Sequence, residues 1–278
     1  MITINDLVFS YRKNTELFRD MNLTLSPGSI YGLLGKNGAG KTTLLNLICG
    51  LSFPKEGTIR VGEYTPSKRD VPFLADLFFL SEDIYIAART PKEMEKYLAP
   101  FYPAFDNALF NKLLKQLDVE YRGKLLKMSY GQKKKVIIAF AIACNTKYLF
   151  MDEPTNGLDI PSKAIFRSII ASTYDENRVI VISTHQVRDL QSMIDRVIIL
   201  NDRQIQFDVS LDKVSEKLTI GHGSTVPKGL EILYSGASEM GKSYIHKNIQ
   251  QTPGQVDLEI LFNGFISDPK SFSQILNA

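Results

Sequence analysis

Cysteine is scarce. Cys49 and Cys144 are the only two, and each sits in an apolar, helix-like stretch. That excludes a disulfide scaffold and a thiolate metal site, and predicts two reduced core thiols of the kind a cytosolic protein keeps. Charge of one sign is also in short supply: 33 Lys and Arg against 30 Asp and Glu leave +3, too little to argue for nucleic acid as the main partner. Long hydrophobic runs are missing. The longest, Val136 to Cys144, follows Lys133, Lys134 and Lys135 and is too short to cross about 30 Å of hydrocarbon as a helix. The start, MITINDLVFSYRK, has neither the basic opening nor the apolar core of a secretory signal, so the chain is not expected to enter a membrane unaided. Long repeats and low-complexity tracts are absent too. What is there is an ordinary globular composition, 44% hydrophobic and 23% charged, in 278 residues, enough for one large α/β domain carrying a smaller unit.

The most informative stretch is GKNGAGKTT, Gly35, Lys36, Asn37, Gly38, Ala39, Gly40, Lys41, Thr42 and Thr43, which fills every position of the G-x-x-x-x-G-K-[ST] phosphate loop. Ser29 to Leu34 before it reads as a buried strand and Leu44 to Leu51 after it as a helix, the order that aims backbone N–H groups at phosphates. Its glycines admit close backbone approach. Lys41 supplies a charge for the β and γ phosphates, and the Thr42 hydroxyl reaches a Mg2+ that bridges them.

A second strand, Tyr148 to Met151, ends on Asp152 and Glu153, at the carboxyl edge where parallel sheets bind ligands. Asp152 suits the Mg2+ shell, and Glu153 suits a general base that polarises an attacking water. A third apolar strand, VIVIS from Val179, ends in Thr184 and His185, a polar sensor for the γ phosphate. Tyr11 has two readings, a ring that stacks on a purine or a half-buried strand aromatic.

Elsewhere, Met1 to Ser26 alternates as one-faced strands, and Pro54 to Glu63 is a turn and short strand. FLADLFFLSED is expected to hold a strand or two, with helices at Pro91 to Leu98 and Phe105 to Leu117. From about Ile220 the pattern shifts to Gly-rich turns and short strands at Leu230 to Tyr234, Ser243 to His246 and Val256 to Phe262. Within it, Gly236 to Ser243 (GASEMGKS) also satisfies the phosphate-loop pattern. Polar and β-branched residues follow in place of an apolar helix, so it reads as a hairpin loop.

Between the phosphate loop and Asp152 lies Met128-Ser129-Tyr130-Gly131-Gln132, before a helix over Lys133 to Asn145. With it, the chain resembles an ATP-binding cassette (ABC) protein over residues 1–219, all motifs in family order. The resemblance implies an α/β phosphate-loop NTPase core of the ABC type with an antiparallel β subdomain, a helical subdomain at about 84–145, and here a small C-terminal β appendage at 220–278. It implies ATP and Mg2+ as cofactors. It also implies Tyr11 as the adenine-stacking aromatic, Asp159 in the loop Gly157-Leu158-Asp159 that communicates between sites, and His185 as the switch histidine. Ser129, Gly131, Gln132 and the helix start would form an anion site for the γ phosphate held by a second cassette. Two positions depart from the family. Glu82, in LSEDIY, occupies the place where relatives carry a glutamine, the first glutamine here being Gln116, and its carboxylate would still attract Mg2+. Tyr130 replaces a signature glycine.

The implied function is an ATP-hydrolysing motor that dimerises around two ATP, as a homodimer or with a related cassette, and drives a separate membrane permease of the bacterial drug, peptide or antibiotic exporter type. The expected place is cytoplasmic, peripheral on the inner face of the cell membrane through the permease alone. Two other classes remain open: a soluble cassette ATPase acting on ribosomes or DNA, and a weakly hydrolysing regulatory module. Against the first, the chain has neither two cassettes nor a long coiled-coil insertion.

Overall fold

Side chains on one strand point alternately to its two faces, and here the two faces carry separate cores. On β3 (Ser29–Leu34), Ile30 and Leu34 join one core while Tyr31 and Leu33 join the other. β6 (Tyr148–Asp152) divides Leu149 and Met151 from Tyr148 and Phe150. β7 (Val179–Thr184) divides Ile180 and Ile182 from Val179 and Val181. Each strand therefore reads as an unbroken apolar run, the mark of a sheet covered on both sides. The structure, a computed structural model, describes residues 1–12, 15–227, 229–238, 241–248 and 254–277.

With β5 (Leu77–Leu80), β8 (Arg196–Asn201) and β9 (Gln204–Ser210), these strands form a six-stranded sheet of order β5-β6-β7-β3-β8-β9. Every neighbour is parallel except β9, which runs antiparallel along β8. One face packs on α1 (Lys41–Ile48) and on a three-stranded antiparallel sheet of β1 (Ile2–Phe9), β2 (Phe18–Leu25) and β4 (Glu56–Val61). The opposite face packs on α5 (Tyr130–Ala143) and α6 (Ile160–Ser172). α3 (Pro91–Leu98) and α4 (Asn107–Gln116) precede α5 in the long connection from β5 to β6, and Phe140 of α5 packs edge-on to Phe110 of α4 at 5.7 Å. β3, β6 and β7 are adjacent and parallel, so the phosphate loop, Asp152 and His185 all emerge at one sheet edge.

Three expected elements fold differently in detail. FLADLFFLSED begins within α2 (Val71–Ala75), with Pro72 in its first turn, and only Leu77–Leu80 is strand. The helix after the MSYGQ stretch starts at Tyr130 rather than Lys133, because Ser129 caps it. Val256 to Phe262, expected as a strand, runs into α8 (Leu258–Ser267). Asp257 accepts from the N–H groups of Glu259 (2.9 Å) and Ile260 (3.0 Å), and Leu258, Leu261 and Phe265 recur at helical spacing on its buried stripe. The C-terminal unit is thus α/β, not β alone. It holds α7 (Leu211–Lys217), a sheet of β10 (Leu218–Gly223), β12 (Gly241–Lys247) and β11 (Ile232–Ser238), then α8 and α9 (Pro269–Asn277). Phe265 stacks on Phe207 of β9 at 4.1 Å, which ties this unit to the main sheet. The expected boundary between 219 and 220 falls inside β10.

Gly236 to Ser243 lies on the β11–β12 hairpin, where Ser238 pairs with Gly241, while Glu239 and Met240 lie outside the described residues. Cys49 and Cys144 are buried free thiols. Among the described residues no helix is long and apolar enough to cross a membrane.

Candidate functional site

The first N–H groups of a helix have no partner within it and need one elsewhere. Thr90, Asp106, Ser129, Asp159 and Asp257 supply side-chain caps to α3, α4, α5, α6 and α8. α1 has none: its N-cap is Gly40, and its first turn holds no acidic residue. Its donors are left to an anion. Gly38 keeps the loop open toward the same space, with φ of +78° and nothing within 4 Å of where a Cβ would stand. Lys41 is 7% exposed, and its ammonium donates to the carbonyls of Gly35 (2.8 Å) and Lys36 (3.4 Å). Burial pushes its pKa below the ordinary lysine value, and the carboxylates of Glu153, Asp152 and Glu82 oppose that shift.

Those acids close the other side of a cleft of about 440 Å3. Asp152 is 1% exposed, accepting the Thr42 hydroxyl at 2.5 Å and the Ser183 hydroxyl on its other oxygen. Glu153 sits one residue past β6 with φ of +47°, a left-handed conformation that few non-glycine residues adopt. Its N–H donates to the Ser183 carbonyl (3.0 Å), which fixes that turn. Its carboxylate accepts from the Thr184 hydroxyl (2.9 Å), from the His185 N–H (2.9 Å) and meets His185 Nδ1 at 2.6 Å.

The cleft collects Tyr11, Asn37, Gly38, Gly40, Lys41, Thr42, Thr43, Glu82, Asp152, Glu153 and His185. Tyr11 is 67% exposed, and its hydroxyl bonds the Thr43 hydroxyl at 2.9 Å, which leaves its ring at the rim. Glu82 lines the cleft with one carboxylate oxygen taken by the Asn156 amide at 3.0 Å. The other candidates lie outside it. Ser129 and Gln132 cap α5 reciprocally, each side chain accepting from the other's N–H (3.2 and 3.0 Å), so part of the expected anion site is satisfied from within the chain. Tyr130 donates to the Glu82 carbonyl at 2.9 Å. Asp159 caps α6 through the Ser162 N–H (2.8 Å) and stands 3.8 Å from Lys135. Its hydrogen bonds from Ser162 hold its carboxyl below the usual range.

Sequence reasoning gave no role to Ser183, which orients Asp152, and none to Thr184, which orients Glu153. Their signal was the abrupt S-T-H ending of a wholly apolar strand.

The residues fit a nucleotide triphosphate through the uncapped α1 and the buried Lys41. They fit Mg2+ only with help from the substrate, since no three His, Cys, Asp or Glu among the described residues make a closed metal cage. That is the usual arrangement for Mg2+, held by one or two protein oxygens plus phosphates.

A family model described as ABC transporter matches residues 18–156. The chain is 31% identical over 226 residues to the ABC transporter ATP-binding protein NatA of Bacillus subtilis (strain 168), covering 78% of this chain and 92% of that protein. It is 28% identical over 225 residues to the molybdate import ATP-binding protein MolC of Haemophilus influenzae, covering 78% and 86%. Among solved structures, an ATP-binding subunit of an ABC transporter matches with a TM-score of 0.69 at 22% identity, over 77% of this chain and 91% of that one. The dimeric bacterial cassette MJ0796 matches with a TM-score of 0.66 at 23% identity, over 76% and 98%. At such identities the last two speak for the fold.

Proposed function

The chain belongs to the ABC transporter family, and from that premise we infer that it is the ATP-hydrolysing motor of a transporter whose membrane-spanning permease is a separate chain. The observation that carries the reading is the pairing of the open α1 N-terminus with two differently held acids. Asp152 is bonded to the phosphate-loop hydroxyl of Thr42, while Glu153 is bonded to Thr184 and His185. Two carboxylates in two environments take two roles.

Lys41 and the α1 N–H groups bind and orient the phosphates, and Tyr11 covers the base from the rim. Thr42 and Asp152 would hold Mg2+, with Glu82 facing it from across the cleft, and the ion would offset charge on the β and γ phosphates. Glu153 takes the proton of the attacking water, and His185 holds Glu153 through Nδ1 and answers to the γ phosphate. Ser129, Gly131, Gln132 and Asp159 do not line this cleft, which supports a dimer in which they face the ATP of a second cassette.

An apolar groove of about 580 Å3 opens between α2, β5 and α3, lined by Phe79, Phe101 and Ile137, with Tyr85 87% and Val71 79% exposed. Phe79 and Tyr85 of its lining stand three residues before and three residues after Glu82, a place where a permease segment docked on large apolar side chains would feel the site. The expected export direction has no carrier in the cassette. A relative named as a molybdate import ATP-binding protein is similar over 78% of this chain, so likeness of the cassette alone does not favour export over import. The test is to capture the chain from detergent-solubilised cells with ATP present and identify what stays bound. A multi-spanning membrane protein supports the motor; ribosomes, repair factors or no membrane protein refute it.

A further inference from the structure

Lys134 stands in the middle of the run Lys133, Lys134 and Lys135, yet its exposure is 0%. α5 places it four residues before Ile138 and seven before Ala141, both also at 0%, so it lies on the inward stripe. A buried ammonium is costly unless its charge is answered. Among the described residues it makes no ion pair, and its hydrogen bond runs 3.3 Å to the Glu82 carbonyl. Tyr130 donates to that same carbonyl at 2.9 Å, and its ring centroid is 5.9 Å from the Lys134 ammonium. The ring is held from behind by Gly157, with φ of +80°, where an added Cβ would approach it to 2.6 Å. Burial lowers the Lys134 pKa, and Glu82, Asp152, Glu153 and Asp83, in that order, raise it again.

We propose that Lys134 and Tyr130 are positioning residues that clamp Glu82 from beneath, with the Lys134 ammonium as the resident counter-charge that lets a third carboxylate face the magnesium side of the cleft. The proposal rests on the reading of Glu82 as an acid facing Mg2+. It makes two demands of one lysine. As a hydrogen-bond donor it keeps the Glu82 segment in place, and as a cation it weakens the pull of the acids on a metal ion. Removing it therefore slows turnover while tightening the metal, two effects that loss of packing does not produce together.

The test uses the full chain with Glu153→Gln to suppress hydrolysis, and reads the Mg2+ concentration that gives half the thermal stabilisation by saturating ATP. Lys134→Met should lower that midpoint by at least about tenfold, the direction and the least size expected from removing a unit charge near a divalent ion at an effective dielectric near 20. Lys134→Arg should leave it within about twofold of the parent. Glu82→Gln should raise it, and Lys134→Met added to Glu82→Gln should shift it less than Lys134→Met does alone. With Glu153 restored, Lys134→Met and Tyr130→Phe should both lower kcat. Tyr130→Phe, which keeps the charge and loses only a hydroxyl, should leave the midpoint unmoved and speed amide exchange at residues 81–84 without nucleotide. An unchanged midpoint in Lys134→Met, or the same shift with and without Glu82→Gln, overturns the clamp. A Glu82→Gln midpoint equal to the parent's overturns the Mg2+ reading of Glu82 itself, and the clamp with it. Should Lys134→Met not fold, Tyr130→Phe with unchanged exchange at 81–84 overturns the clamp.

Discussion

Replacing Glu153 by glutamine tests the proposal that it is the base, because the network around it accepts the amide. The carboxylate receives the Thr184 hydroxyl on Oε2 and both the N–H and Nδ1 of His185 on Oε1. A glutamine oriented with its oxygen at the Oε1 position still accepts from His185, and its NH2 donates to a Thr184 oxygen that now accepts. The contacts to both residues are kept, with the Thr184 hydroxyl proton alone losing its acceptor, the side chain has the same shape, and the left-handed φ of +47° is as available to Gln as to Glu. What disappears is the ability to take a proton. General-base catalysis contributes about a hundred- to ten-thousandfold, so steady-state phosphate release should fall by that factor, about 3–5 kcal/mol in barrier height. ATP binding should persist, and with hydrolysis blocked an ATP-held dimer should accumulate. Phosphate release and size-exclusion chromatography with Mg2+ and ATP read the two effects together. Turnover within about threefold of the parent would refute the base assignment, since an amide supplies none of the expected contribution.

Lys41→Ala should abolish ATP binding, measured by equilibrium dialysis, because it removes the buried ammonium that reaches into the loop, whereas Lys242→Ala on the β12 strand should leave binding unchanged. The reverse pattern would move the nucleotide site to Gly236–Ser243. Asp257→Ala strips the cap from α8 and should cost about 1 kcal/mol, read as a lower midpoint in urea or heat. An unchanged midpoint would mean that α8 does not need its cap.

The site was legible where a few adjacent residues carry the chemistry. The phosphate loop, Asp152-Glu153 and Thr184-His185 each follow an apolar run, and apolar runs ending in polar residues are what a parallel sheet delivers to one edge. The strands were legible for the same reason, since β3, β6 and β7 are buried on both faces and show no alternation that could be confused with a solvated sheet. α8 was misread because Leu258 to Phe262 mixes aliphatic and aromatic residues over too short a window to separate period 2 from period 3.6. Asp257 just before it was the missing discriminator, a cap that a strand does not need. Lys134 carries no local mark, because Lys133 and Lys135 flank it with the same residue type. Only the helical phase set by Ile138 and Ala141 marks the middle lysine as inward.

Contacts far apart in the chain were beyond a local reading, and they change how the two departures from the family are understood. Taken from the sequence, Glu82 and Tyr130 are separate oddities. In the structure the Tyr130 hydroxyl is bonded to the Glu82 carbonyl, Lys134 reaches the same oxygen, and the Glu82 carboxylate is bonded to Asn156, whose amide oxygen accepts from Gln186 beside His185. An acid at position 82, a hydroxyl at 130 and a buried cation at 134 therefore form one connected arrangement between the start of α5 and the cleft. A larger side chain in place of glycine at the helix start does not obstruct that arrangement, because it is one of its members. The hydrogen bonds run without a break from the α5 N-terminus to Glu82, and from the Glu82 carboxylate through Asn156 to Gln186, the residue after His185.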